Sequence, residues 1–136
     1  MTQNKQTGRV ANKFGKRMAE IVSKKIGAVR TSHSNGNEFL WNGKRITIRS
    51  AHKKNTYVGV LSSMLDRVDT VLAVIESEAE DEFKVWAIDK QTYRKNSKTQ
   101  VRNPKIKQVR TKVFTEDREP MINEVIRDTG DTEIEY

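Results

Sequence analysis

The spacing of apolar residues along the chain predicts both helices and strands. Between residues 12 and 26, apolar side chains recur every four positions, which places them on one face of an amphipathic helix. These side chains are Phe14, Met18, Val22 and Ile26. Gly27 follows at a position where helices commonly end, so we expect the helix to stop there.

The period changes to two between residues 38 and 51, which predicts a β-hairpin. Asn42-Gly43 is a strong two-residue turn signal, because a type I′ turn needs φ > 0 at both central positions. On the outgoing strand Ile46 and Ile48 point to one face. The other face carries Arg45, Thr47 and Arg49. Glu38 begins the incoming strand, so a carboxylate and a cation can meet across the hairpin.

The rest of the chain continues the alternation of elements. Residues 69–75 are almost wholly apolar, which predicts a buried central strand, and residues 83–88 alternate like a strand that pairs with it. The further predicted elements are a helix over 57–68, a short helix over 89–98 capped by Asp89, a last strand that includes Val109, Val113 and Phe114, and a closing helix over 119–127. This order predicts an α/β fold in which helices cover a central sheet. We expect one domain over residues 12–127, a flexible basic arm over 1–11 and an acidic tail over 128–136.

Composition narrows the class of protein. The chain has 136 residues and no cysteine, which excludes disulfides, thiolate zinc sites and cysteine nucleophiles. No apolar run approaches the roughly 18 residues that a membrane span requires, and the N-terminal residues do not resemble a signal peptide. The sequence therefore predicts cytoplasmic residence and no membrane partner.

Charge is unevenly distributed and predicts a polyanionic partner. The net charge is +8, yet residues 91–115 hold 8 Lys/Arg and no carboxylate, and residues 1–54 hold 13 Lys/Arg against 2 acids. Such blocks favour nucleic acid, although solvated Lys-rich helix faces are the alternative explanation. The candidate nucleic-acid-binding residues are Arg49, Lys53, Lys54, Arg94, Lys95, Lys98, Arg102, Lys105 and Lys107.

The hairpin resembles the metal site of the PD-(D/E)xK restriction-endonuclease-like family, in which an acid on one strand faces an acid-x-Lys triplet on the next. Glu38 matches the first acid, and Thr47-Ile48-Arg49 stands where the family has its triplet. The resemblance implies a restriction-endonuclease-like fold, a central mixed β-sheet flanked by helices. It also implies Mg²⁺ held by Glu38 and the Ile48 carbonyl, with Arg49 in place of the catalytic lysine. Because Thr47 carries no charge, Glu20 on the first helix is the candidate replacement acid.

A second resemblance lies in the basic half of the chain. Small type II restriction endonucleases often end with a Tyr-containing segment and an Asn-Pro-Lys-Ile element, and here these are Asp89–Asn96 and Asn103–Ile106. The two resemblances imply a Mg²⁺-dependent endonuclease that acts on double-stranded DNA as a homodimer. Two alternatives stay open: a catalytically inactive relative that binds DNA or regulates, and an RNA-binding protein.

Overall fold

The computed structural model describes residues 5–31 and 37–128, with the backbone alone described for residues 5–12 and Asn123. The elements in chain order are α1 (Lys5–Ile26), β1 (Val29–Arg30), β2 (Glu38–Trp41), β3 (Lys44–Ala51), β4 (Tyr57–Leu61), α2 (Ser62–Arg67), β5 (Thr70–Glu76), β6 (Phe83–Asp89), α3 (Lys90–Asn96), β7 (Lys98–Thr99), β8 (Ile106–Arg110), α4 (Lys112–Thr115) and β9 (Ile122–Ile126). No helix among the described residues is long and apolar enough to cross a membrane.

Most strands form one mixed sheet. Its order is β1-β2-β3-β5-β6-β9, and β3 pairs with β5 in parallel whereas the other neighbours are antiparallel. A smaller antiparallel sheet has the order β4-β8-β7. The predicted fold class, α/β with a central mixed sheet flanked by helices, is confirmed.

Each face of the main sheet has its own core. On one face α1 buries Met18 and Val22 against Ile46 and Ile48, as the four-residue period predicts. On the opposite face, the small sheet and the short helices cover the alternate residues of β5 and contribute buried side chains such as Tyr93. Residues that follow one another along β3 therefore enter different cores, which places Thr47 and Arg49 on the side away from α1.

The predicted hairpin is present. Asn42 and Gly43 both have positive φ, 50° and 78°, as a type I′ turn requires. The turn sets a register in which Glu38 lies directly opposite Thr47. In an antiparallel pair, residues opposite each other point to the same face, so these two side chains are neighbours.

Four sequence predictions differ from the structure. The first helix begins at Lys5, so much of the predicted arm over 1–11 is helical. Residues 57–68 form strand β4 and then α2 rather than a single helix, because Val58 and Val60 alternate into the core. Val113 and Phe114 lie in α4, not in the last strand. The predicted helix over 119–127 is strand β9, which pairs with the exposed edge of β6. Residues 129–136 of the predicted tail lie outside the described residues.

Candidate functional site

Glu38 lies at the start of β2 on the face away from α1, and its residue surface is 2% exposed. Thr47, opposite it on β3, is fully buried. Glu38 and Thr47 therefore face each other across the tight hairpin. A buried carboxylate needs charged partners or hydrogen-bond donors, so the identity of its neighbours decides what the site can do.

Two arginines neutralise Glu38. Arg67, at the end of α2, places Nε 3.2 Å and Nη2 3.1 Å from Glu38 Oε1. Arg45 places Nη1 3.5 Å from Glu38 Oε2, across the hairpin. A carboxylate and a cation therefore meet across the hairpin as expected, but the cation is Arg45. Arg49, the expected catalytic partner, forms no ion pair with Glu38 among the described contacts.

Arg49 lies two residues after Thr47 on β3 and lines a separate cavity of about 240 Å³. The other lining residues are Thr47, Gly59, Val60, Leu61, Met64 and Ile106. Within the described part of the chain no hydrogen bond or ion pair reaches its guanidinium. Burial lowers the pKa of Arg49, because a low-dielectric environment disfavours its charged form.

Tyr93 is a buried core residue whose phenol interacts electrostatically with Arg49. Its hydroxyl lies 2.9 Å from the Val58 carbonyl and 2.7 Å from the Lys107 carbonyl, and it donates its one hydrogen to these two strands of the small sheet. Burial raises the pKa of Tyr93, which keeps the phenol neutral at physiological pH. Arg49 acts on it in the opposite direction, because a nearby positive charge favours the phenolate.

The residues at the predicted metal site do not fit Mg²⁺. Mg²⁺ prefers carboxylate oxygens and water, and its sites need negative charge. Here the donors are Glu38, already bound by two guanidinium groups, the uncharged Thr47 hydroxyl and the Ile48 carbonyl. No group of three or more His, Asp or Glu among the described residues could hold a metal ion.

Glu20 does not supply the missing acid. Its carboxylate accepts a hydrogen bond from Arg30 Nε at 2.6 Å. The Arg30 guanidinium lies over the ring of Phe39, 4.6 Å from the centroid, and Phe39 belongs to the core beneath α1. Phe39 and Glu38 are consecutive on β2 and point to opposite faces. The sheet therefore separates Glu20 from the candidate site.

Three of the predicted phosphate-binding residues lie beside acids. Lys53 and Lys54 line a surface cavity with Glu76, Glu78, Glu80 and Asp81. Arg94 forms an ion pair with Asp66 at 2.6 Å. A phosphate would therefore meet negative charge at Lys53 and Lys54.

The other predicted basic residues lie on α3, the small sheet and the connection between β7 and β8. They are Lys95, Lys98, Arg102, Lys105 and Lys107. Apart from Lys107, whose Nζ donates to Thr99 Oγ1 at 2.6 Å, none has a side-chain hydrogen bond or ion pair among the described residues. The Lys105 carbonyl accepts a hydrogen bond from the Ser62 amide at 2.8 Å, at the first residue of α2. Lys105 belongs to residues 91–115, which hold no carboxylate and are called the basic segment. Because α2 ends at Arg67, this helix connects the basic segment to the Glu38 site.

Sequence reasoning missed two residues of the site, Arg45 and Arg67. Arg45 was placed on the correct face of the hairpin by its period, and its diagonal position relative to Glu38 could have identified it. Arg67 reaches the site because α2 follows β4 and packs on the face of the main sheet away from α1. Its sequence separation of 29 residues from Glu38 offers no local signal.

Comparisons with known proteins find likenesses among solved structures. Neither a protein-family model nor a curated protein matches the sequence. Among solved structures, the chain is similar to Hjc, a Holliday junction resolvase from Archaeoglobus fulgidus, an archaeal hyperthermophile. The identity is 8%, the TM-score is 0.42, and the match covers 74% of this chain and 87% of that chain.

Proposed function

We propose that this protein binds double-stranded DNA through a remodelled PD-(D/E)xK-type site that holds the phosphate backbone and does not hydrolyse it. The observation that carries the proposal is the pairing of Glu38 with Arg45 and Arg67 at distances of 3.1 to 3.5 Å. In the family that the hairpin resembles, this carboxylate would hold a metal ion.

The charge balance at the site supports this proposal. Glu38 contributes one negative charge, whereas Arg45, Arg67 and Arg49 are all positive. An excess of positive charge disfavours a divalent cation and attracts a polyanion. Arginine also suits phosphate chemically, because its planar fork can donate two hydrogen bonds to one phosphate.

The position of the basic segment supports binding along a strand of DNA. The hydrogen bond between Ser62 and Lys105 places that segment at one end of α2, and Arg67 lies at the other end. A helix of this length spans about 9 Å, over which one strand of a duplex presents two or three phosphates. The two ends of α2 can therefore contact neighbouring phosphates.

The resemblance also implies a homodimer, which we retain as part of the proposal together with cytoplasmic residence. Sedimentation at increasing protein concentration tests the dimer.

The Mg²⁺-dependent endonuclease loses support because Glu38 is already neutralised. An RNA-binding protein differs from the proposal in one measurable respect, a preference for structured RNA over duplex DNA at matched salt.

Glu38→Gln provides the test. In a nuclease this substitution removes a metal ligand and abolishes cleavage. In the proposed binding protein the substitution frees Arg45 and Arg67 from their carboxylate partner. We therefore expect the affinity for a blunt duplex to rise about threefold or more. This factor corresponds to roughly 0.7 kcal/mol, the interaction of one added positive charge with a phosphate about 6 Å away in water. Fluorescence anisotropy measures the affinity, and plasmid incubated with Mg²⁺ or Mn²⁺ reports cleavage.

Glu124→Gln is the matched control, because it removes the same charge from β9, where Glu124 pairs with Lys25 at 2.6 Å. We expect the control to change affinity much less than Glu38→Gln. Metal-dependent cleavage by the wild-type protein that Glu38→Gln abolishes would contradict the proposal. A wild-type protein that does not bind duplex DNA at low salt would contradict it as well.

A further inference from the structure

We propose that the cavity around Arg49 receives the terminal phosphomonoester of a DNA strand, an inference that rests on the proposed DNA-binding function. The cavity lies beside the Glu38 site but is chemically distinct from it, since Arg49 is the one charged residue in its lining. Three features support the inference: the positive charge of the Arg49 guanidinium, the size of the cavity, and the position of the cavity along the expected path of the DNA.

Arg49 is a half-buried cation in the wall of this cavity, so an anion that enters the cavity would be stabilised by its charge. Charged groups that are removed from water are stabilised by a partner of opposite charge. Arg45 and Arg67 have Glu38, whereas no carboxylate contacts Arg49 among the described residues. The lowered pKa of Arg49 reflects the same cost of burial. A bound anion would supply the missing partner.

The size of the cavity favours a single phosphate group over a whole nucleotide. A cavity of about 240 Å³ is below the range of roughly 300–1,000 Å³ that holds drug-sized ligands. It corresponds to about eight water molecules at their liquid volume. A phosphate fits within it, with the attached sugar at the opening.

The walls favour a strand end over an internal phosphate. Gly59, Val60 and Met64 line the cavity together with Arg49, so a small anion that enters it would lie between apolar walls and the guanidinium. An internal phosphodiester carries a sugar on each side and cannot enter end-on. A terminal phosphomonoester has a single attached sugar, three acceptor oxygens and a charge between about −1.5 and −2 at pH 7. It therefore satisfies the arginine fork better than an internal phosphate.

The cavity adjoins the basic segment. Ile106 forms part of its wall, and its neighbours in the chain, Lys105 and Lys107, are predicted backbone contacts. A duplex that contacts these lysines would therefore pass the opening. Its end would bring the terminal phosphate to Arg49.

Hairpin DNA with one open end tests the inference. Four versions of one stem are compared by anisotropy: a 5′-phosphate, a 3′-phosphate, hydroxyls at both termini, and a closed dumbbell with no end. We expect the wild-type protein to bind one phosphorylated end about tenfold more tightly than the hydroxyl end, as a charge-assisted bidentate contact would provide. The 5′ and 3′ versions identify which terminal phosphate enters.

Arg49→Gln should make the affinities for the phosphorylated and hydroxyl ends about equal, and it should weaken binding of the phosphorylated end about tenfold more than binding of the dumbbell. Arg127→Gln is the matched control, because it removes the same charge beyond β9, where Arg127 pairs with Glu82 at 3.7 Å, and it should keep the preference. Gly59→Ala tests the cavity with Arg49 intact. The added Cβ would lie 3.0 Å from Ile106 Cγ2, so it narrows the cavity and should weaken the preference.

Equal affinity of the wild-type protein for phosphorylated and hydroxyl ends overturns the inference and leaves the proposed function standing. Failure to bind the dumbbell overturns the proposed function instead. Inorganic phosphate gives an independent measurement. At matched ionic strength, phosphate should raise the melting temperature relative to chloride by more in the wild-type protein than in Arg49→Gln, whose rise reports only the general stabilising effect of phosphate, and an equal rise in both would contradict an Arg49 site.

Discussion

The carboxylate of Glu76 joins two backbone segments at the end of β5. Its Oε1 accepts a hydrogen bond from the Lys53 amide and its Oε2 accepts one from the Asp81 amide, both at 2.7 Å. These two amides lower the pKa of Glu76 from its ordinary value of 4.5, with a smaller contribution from His52. The ionised form is therefore stabilised in the folded protein.

The pH dependence of stability follows from this shift. A carboxyl whose pKa is lower in the folded state stabilises the protein above its unfolded pKa, and this contribution is lost as pH falls through the folded pKa. We expect Glu76→Gln to destabilise the protein by about 1–2 kcal/mol near pH 7, since a neutral amide is a weaker acceptor. The difference from wild type should shrink below about pH 4.5.

Urea denaturation at a series of pH values measures this difference. Glu78→Gln is the control, because Glu78 is an exposed neighbour whose own side chain receives no such pair of amides among the described contacts. A destabilisation by Glu76→Gln that stays constant down to pH 3 would contradict the assignment.

At the candidate site, some residues could be predicted from the sequence and others could not. The sequence identified Glu38 and Arg49 and the face of the hairpin that carries them. It did not identify the arginines that bind Glu38, because Arg67 belongs to a helix whose return over the sheet has no local signature. It also placed Glu20 near the site, although the sheet itself lies between them.

At the scale of elements, the Asn42-Gly43 turn fixes the register that brings Glu38 opposite Thr47. Gly43 has a φ of 78°, and an added Cβ would meet no atom within 4 Å. A larger residue at position 43 would therefore destabilise the protein only through the strain of its left-handed backbone conformation. We expect Gly43→Val to reduce the free energy of unfolding by about 1–3 kcal/mol.

Chemical denaturation checks this prediction, with Lys44→Val as the control. Lys44 is exposed and lies in the first position of β3, where an L-residue has ordinary strand geometry. The control should change stability little. A similar loss in both variants would mean that the added apolar side chain, and not the left-handed backbone, is responsible.

Two of the elements whose secondary structure differs from the prediction do so for different reasons. Residues 57–68 contain apolar positions that fit both a period of two and a helical period, and Val58 and Val60 satisfy the first by entering the core. Residues 122–126 have a helical apolar pattern, but an open edge of β6 provides backbone partners that the sequence does not announce. Strand pairing is a long-range choice, so local periodicity cannot decide it.

At the scale of the whole molecule, the fold divides the basic residues into two classes. Lys53 and Lys54 lie among acids, whereas Lys98, Arg102 and Lys105 lie in the carboxylate-free segment. If the second group contacts phosphates, each contact adds about 0.9 to the slope of log affinity against log salt. Converting these three residues together to Gln should lower the slope by about 2–3.

Anisotropy titrations between low and moderate salt measure the slope. Converting Lys53 and Lys54 to Gln is the matched control and should leave it nearly unchanged. The assignment of the interface to the small sheet would be wrong if the control lowered the slope as much as the triple variant.

The amino-acid sequence by itself determined the hairpin, its turn type and register, the amphipathic first helix, the two central strands and the uneven charge. Each depends on neighbours within a few residues, where periodicity and φ preference act directly. The tertiary structure decided that Arg67 binds Glu38 beside Arg45, that Arg49 lines its own cavity, and that Glu20 lies across the sheet. These outcomes depend on which distant elements pack together, and packing free energy is a property of the assembled core that no local pattern encodes.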